Sequence, residues 1–126
     1  MTVHEAIAET DHLKPNMYDE GDKIRWLSRL EGRIFQEIIC THEFNEGETE
    51  ITEFTPFTPD SGMEDLFVGE PYDELYVRWL EAQIDYNNME FDSFNNSNAV
   101  FESVYSAFRN AYNRSHMPKS ANNIYY

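Results

Sequence analysis

The sequence is poor in the residues that most chemistry needs. It has one cysteine, Cys40, so no internal disulfide forms, and its four histidines (His4, His12, His42, His116) are scattered. Cys40-Thr41-His42-Glu43 is the nearest thing to a ligand cluster, and it has too few soft or imidazole donors for a metal centre. None of the five glycines forms the Gly-rich run that cradles phosphates. Lys and Arg together number 9 against 24 Asp and Glu, a formal charge of −15, which excludes direct binding of a nucleic-acid backbone by charge. No apolar run approaches the roughly 18 to 20 residues of a bilayer span, and anionic headgroups would repel so acidic a surface. The opening MTVHEAIAETDHLK has neither the basic nor the apolar region of a secretion signal, so a cytosolic origin is expected.

What is present suffices for one core. The 126 residues suit a single domain, and 40% are hydrophobic and 15% aromatic, enough to fold despite the charge. The charge is unevenly spread. Residues 1–33 hold 5 basic and 7 acidic groups, residues 34–77 hold 12 acids and no base, and residues 103–126 hold Arg109, Arg114 and Lys119 with no acid. Such asymmetry suits surfaces that meet different partners.

Periodicity predicts four helices. The first starts at Thr2, which has capping-box spacing to Glu5, and stops at Pro15-Asn16. The second runs from about Asp19 to Thr41, with Ile24, Leu27, Ile34 and Ile38 in one arc and Phe35 beside them. Arg25, Arg29, Arg33 and Gln36 project on the other side, as a solvated face or as a contact strip for an acidic neighbour. Residues 42–70 lose all periodicity and form a long acidic loop. Within it, residues 49–54 (TEITEF) are β-prone, and a short strand or one arm of a hairpin is expected before Pro56 and Pro59. A connection of this length inside a compact domain is more often functional than accidental.

The third helix is predicted to open at Pro71, with Leu75, Trp79, Ala82 and Tyr86 inward. The fourth begins near Met89, and Phe91, Phe94, Asn98, Phe101, Tyr105, Phe108 and Tyr112 form one seam at alternating gaps of three and four, read as core. It ends near Ser115, ahead of Pro118. The fold class is therefore all-α: a small bundle of about four helices over residues 1–115, and an extended C-terminal tail over 116–126. Cys40, next to Ile38 and Ile39, reads as a small buried hydrophobe, and carboxylate pairs are too common here to mark an acid–base site. No catalytic, cofactor-binding or metal residue is assigned, and no enzyme is expected.

Three stretches carry a resemblance: KIRWLSRLEGRIFQEI (23–38), EPYDELYVRWLEAQIDYNN (70–88) and YNRSHMPK (112–119). They resemble the head-to-tail connector, or adaptor, proteins of tailed bacteriophages. The resemblance implies a helical bundle that assembles in the virion neck as a ring, usually of twelve copies, beneath the portal protein. Such a ring extends the DNA channel, lets DNA pass without specific binding, and docks the next neck or tail protein. It further implies portal contacts from Arg114, His116, Met117, Pro118, Lys119, Ile124, Tyr125 and Tyr126. The loop acids Glu43, Glu46, Glu48, Glu50 and Glu53 then face the channel or a subunit interface, and Arg25, Arg29 and Arg33 answer the acidic block of the adjacent copy. The alternative from another class is an acidic DNA mimic that occupies a host DNA-binding protein.

Overall fold

Thr2 opens the first helix in the manner its spacing predicts. Its hydroxyl accepts the Glu5 N–H at 3.1 Å and the Glu5 carboxylate accepts the Thr2 N–H at 2.8 Å, starting α1 (Val3–Leu13). Asp19 caps α2 (Glu20–Ile34) by accepting the Asp22 N–H at 2.9 Å. The structure, a computed structural model, describes residues 1–119. Ile124, Tyr125 and Tyr126 lie outside the described residues.

The second helix does not stay α-helical to Thr41. From Phe35 to Ile39 it widens into a π turn, in which the Cys40 N–H reaches back to the Phe35 carbonyl at 2.8 Å. Ile34, Phe35, Ile38 and Ile39 are all buried, so the wide turn directs two adjacent pairs of apolar side chains into one core. The predicted arc of Ile24, Leu27, Ile34 and Ile38 is buried as expected.

Pro71 does not open the third helix. The Glu70–Pro71 peptide is cis, the Tyr72 N–H closes a turn onto Gly69 at 3.0 Å, and α3 (Glu74–Asn87) begins three residues later. Met89, at φ 61°, then reverses the chain into α4 (Phe91–Ser115). Ring contacts fix α3 and α4 as an antiparallel pair: Tyr72 meets Phe108, Trp79 meets Phe101 and Tyr86 meets Phe94. The other buried face of α3, with Tyr76, Leu80 and Ile84, belongs to the core shared with α1 and α2, so α3 is the hub of the bundle.

The aromatic seam of α4 is core only in part. Phe101, Tyr105 and Phe108 are buried, while Phe94, Asn98 and Tyr112 are half-buried and Phe91 is exposed. At its N-terminal end α4 meets the last turn of α3, where Tyr86 touches Phe91 and Phe94 edge-on.

No strand forms at residues 49–54, and among the described residues the extended pairings are two isolated bridges, Thr2 with Asp65 and His42 with Pro118. The reason is that the loop spends its polar groups and rings on α2 rather than on a partner strand. The Phe57 N–H donates to Ser28 Oγ at 3.0 Å, and Phe54 lies against Gly32, 3.5 Å from where a Cβ would stand. Leu66 and Val68 are buried, and Phe44, Ile51, Phe54, Phe57 and Phe67 pack against the same core. The long connection is thus a fitted cover, with a short 3-10 turn at Ser61–Met63.

Candidate functional site

The sequence singles out the acidic loop and the C-terminal segment, and the structure brings these two together. The carbonyl of Met117 accepts the Glu43 N–H at 2.7 Å, and the carbonyl of Thr41 accepts the Lys119 N–H at 2.9 Å. Residues 116–119 therefore turn back from the end of α4 and pair with residues 41–43. Residues 116–119, the start of the expected tail, are thus tied to the bundle, and residues 120–126 lie outside the described residues. The physical cause is a clasp of rings. His116 stacks on Tyr112 with centroids 3.8 Å apart and planes 3° from parallel, while His42 meets Tyr112 edge-on at 5.2 Å. His116 Nε2 stands 3.0 Å from both Glu48 oxygens, and the Asn45 side chain donates to the Ser115 carbonyl at 2.9 Å.

Of the residues that the resemblance assigns to a portal, Arg114, Met117, Pro118 and Lys119 are exposed. The His116 side chain is only 8% exposed, so this residue fastens the segment. Lys119 also sits 5.8 Å from the centroid of the Phe44 ring. All five loop acids, Glu43, Glu46, Glu48, Glu50 and Glu53, are exposed. Glu48 is held below the usual carboxylate range, first by the Asn45 N–H and then by the His116 ring. Gly47, at φ 89°, makes the turn between Asn45 and Glu48, a backbone region that glycine enters freely.

The basic stripe divides. Arg25 and Arg29 are exposed, Arg25 pairing with Asp22 on its own helix. Arg33 turns instead onto α4: its guanidinium lies over the Tyr105 ring at 4.4 Å and reaches Glu37 at 3.1 Å and Glu102 at 3.6 Å. Tyr105 Oη donates to the same Glu37 carboxylate at 3.0 Å, and its own pKa is pushed up to about 12, by burial and then by that carboxylate. Arg33 thus cements α2 to α4. Helical spacing alone placed it with its neighbours, because the α4 side of α2 carries no signal in the sequence of α2.

One further feature escaped sequence reasoning. Glu31 is buried and has no ion-pair partner among the described residues. Its Oε1 accepts the Tyr76 hydroxyl at 2.6 Å, its Oε2 accepts the Phe67 N–H at 2.7 Å, and Tyr76 Oη accepts the Val68 N–H at 3.0 Å. Burial pushes the Glu31 carboxyl up to about 7, against the two hydrogen bonds that favour its charged form. The network ties the far end of the acidic loop to α2 and α3. It forms one wall of a cavity of about 310 Å3 shared with Glu53, Glu64 and Asp65. One acid among 24 gave no sign of this; the signal was its position on the apolar arc of α2, between Leu27 and Ile34.

His42 Nδ1 lies 2.7 Å from the Ile38 carbonyl and 2.9 Å from Thr41 Oγ1, so this imidazole closes the helix end. Among the described residues no group of His, Cys, Asp or Glu is arranged to hold a metal ion, and no helix is long and apolar enough to cross a membrane. No protein-family model matches the chain, and comparison with curated proteins and with solved structures yields no match.

Proposed function

We propose that this chain is a structural component of the tailed-phage neck, a non-enzymatic adaptor that forms a ring, of twelve copies in the virion, beneath the portal protein. In this reading the bundle sets the ring's dimensions, the C-terminal segment grips the portal, and the acidic surface lines a DNA conduit or a subunit boundary. A downstream neck or tail protein docks on the free side. The observation that carries the reading is the clasp. The Glu43–Met117 and Thr41–Lys119 bonds hold the C-terminal segment, as far as residue 119, at a fixed point on the rim of the acidic loop. A terminal anchor leaving from a fixed point pays less ordering entropy on docking than one leaving from a frayed helix end.

Exposed Glu43, Glu46, Glu50 and Glu53, repeated around a ring, would repel phosphate and keep passing DNA from adhering. Arg25 and Arg29 are the part of the basic stripe open to an adjacent copy.

Co-sedimentation with portal-bearing particles tests the reading. Truncation after Lys119 leaves the clasp intact, and Arg114→Glu with Met117→Ala changes the exposed residues before it. The truncated chain is expected to keep its helix content and lose portal binding, and the double variant to weaken it. Unchanged binding by both variants rules out the C-terminal anchor.

A further inference from the structure

A groove of about 500 Å3 opens on the outer side of α2. Arg25, Ser28, Arg29 and Gly32 form its helical wall, and Phe54, Pro56 and Phe57 form the opposite one. The loop wall is held in place, since Phe57 is hydrogen-bonded to Ser28 and Phe54 rests on Gly32. The groove has an apolar floor and a cationic rim on a chain of net charge −15. Arg25 shares its charge with Asp22, whereas Arg29 has no ion-pair partner among the described residues.

On the far side of Phe54 and Phe57, where Glu64 and Asp65 line the neighbouring cavity, the same chain presents the opposite shape and the opposite charge. Met63 ends the short 3-10 turn and is 82% exposed, and Glu64 and Asp65, which follow it, are exposed too. This knob stands on rigid backbone. The Glu64 carbonyl accepts the Val3 N–H at 3.0 Å, the Leu66 N–H donates to the Met1 carbonyl at 2.9 Å, and Asp65 bridges Thr2. An unbranched apolar side chain followed by two carboxylates, all on ordered support, is a preformed plug for an apolar slot with two guanidiniums at its edge.

We propose that the Met63–Glu64–Asp65 turn of one copy docks in the Arg25–Arg29 groove of a second copy. Met63 lies against Phe54, Pro56 and Phe57 of the receiving copy, and Glu64 and Asp65 meet Arg25 and Arg29. The proposal rests on the ring reading and names the contact through which neighbouring copies meet. Two molecules of charge −15 repel each other overall, so any contact between them needs a place where the sign reverses locally, and this groove provides one. Each copy carries both halves, so the contact can be handed from one copy to the next.

The test uses full-length chains carrying Cys40→Ala at about 0.15 M salt, where long-range repulsion is screened within roughly 8 Å. Met63→Cys chains are mixed with mass-tagged Pro56→Cys chains and oxidised. The expected result is a mixed disulfide dimer at least tenfold more abundant than in mixtures where exposed Met17→Cys replaces Met63→Cys. Adding Arg25→Glu and Arg29→Glu to the Pro56→Cys chain should cut the yield at least tenfold. Adding Glu64→Arg and Asp65→Arg to the Met63→Cys chain should then restore it. A yield equal to the Met17→Cys control, or one indifferent to charge reversal, overturns the docking. The portal assay separates the two ideas: portal binding without the mixed disulfide leaves the adaptor reading and removes this contact, and the disulfide without portal binding does the reverse.

Discussion

The Tyr76 hydroxyl donates to Glu31 Oε1 at 2.6 Å from the first turn of α3, joining the hub helix to a buried carboxylate of α2. Because the same hydroxyl accepts from Val68 and the other carboxylate oxygen accepts from Phe67, two side chains hold two consecutive loop amides. The acidic loop owes its fixed course near residue 67 to this arrangement, and the cost is an ionisable group kept away from water.

That cost gives a pH dependence of definite sign. The folded carboxyl of Glu31 titrates near 7 against an ordinary value of 4.5, so the folded chain holds this proton more tightly. The stability involved is complete below about pH 4.5, falls as pH rises through 7, and is level beyond, a span on the order of 3 kcal/mol. Urea unfolding of the wild-type chain and of Glu31→Gln between pH 5 and 9 checks it. The variant should be less pH-dependent by this amount across that window. Tyr76→Phe, lacking the hydrogen bond that holds the carboxyl down, should move the wild-type inflection upward.

A second buried carboxylate is paired with a cation. Asp85, whose side chain is 4% exposed, accepts Lys14 Nζ at 2.7 and 2.8 Å and Ser97 Oγ at 2.8 Å. Lys14→Met leaves that charge nearly unpartnered and should cost about 3–5 kcal/mol in urea unfolding. Replacing both partners, with Lys14→Met and Asp85→Leu, should recover a large part of the loss.

The clasp at the C-terminal segment predicts a local effect. His116→Ala removes a stacked ring pair worth about 0.5–1.5 kcal/mol and the exposed contact with Glu48, worth less. Amide exchange at Glu43 and Lys119 should quicken several-fold, while the amides of Leu80 and Ile84 in α3 stay protected. Equal acceleration throughout would mean that the ring pair holds the whole fold together.

Met89 carries a positive φ of 61° with its side chain 74% exposed, so its left-handed backbone is offset by little packing. Met89→Gly should raise the melting temperature by a few degrees, the relief of about 1–2 kcal/mol of strain exceeding the added flexibility of glycine. Met89→Asn should give a smaller rise.

Helix caps and arcs were legible in the sequence because they depend on neighbours three and four residues away. Thr2 with Glu5, the Asp19 start, and the row Ile24, Leu27, Ile34 and Ile38 are of this kind. The α3 boundary was not, since the turn that the Tyr72 N–H closes onto Gly69 leaves no periodic mark in the sequence. The contacts of Arg33 and Glu31 were not legible for a related reason: their partners, Tyr105 and Glu102 for one and Tyr76 and Phe67 for the other, lie 36 or more residues away. The β-prone run at residues 49–54 lost its propensity to tertiary context, because Phe54 and Phe57 found α2. Of the candidate surface, the exposure of the loop acids was legible and the folding back of residues 116–119 was not. No periodicity links His116 to Glu48.

The wide turn at Phe35–Ile39 sets the angular phase at which the chain leaves α2. If all five residues were kept but wound as an ordinary helix, Thr41 and His42 would swing by about 100° around its axis. The carbonyl that receives Lys119 and the imidazole edge against Tyr112 would then face the wrong way. The winding of these five positions therefore acts as a single gear tooth between the bundle and everything fastened at its end.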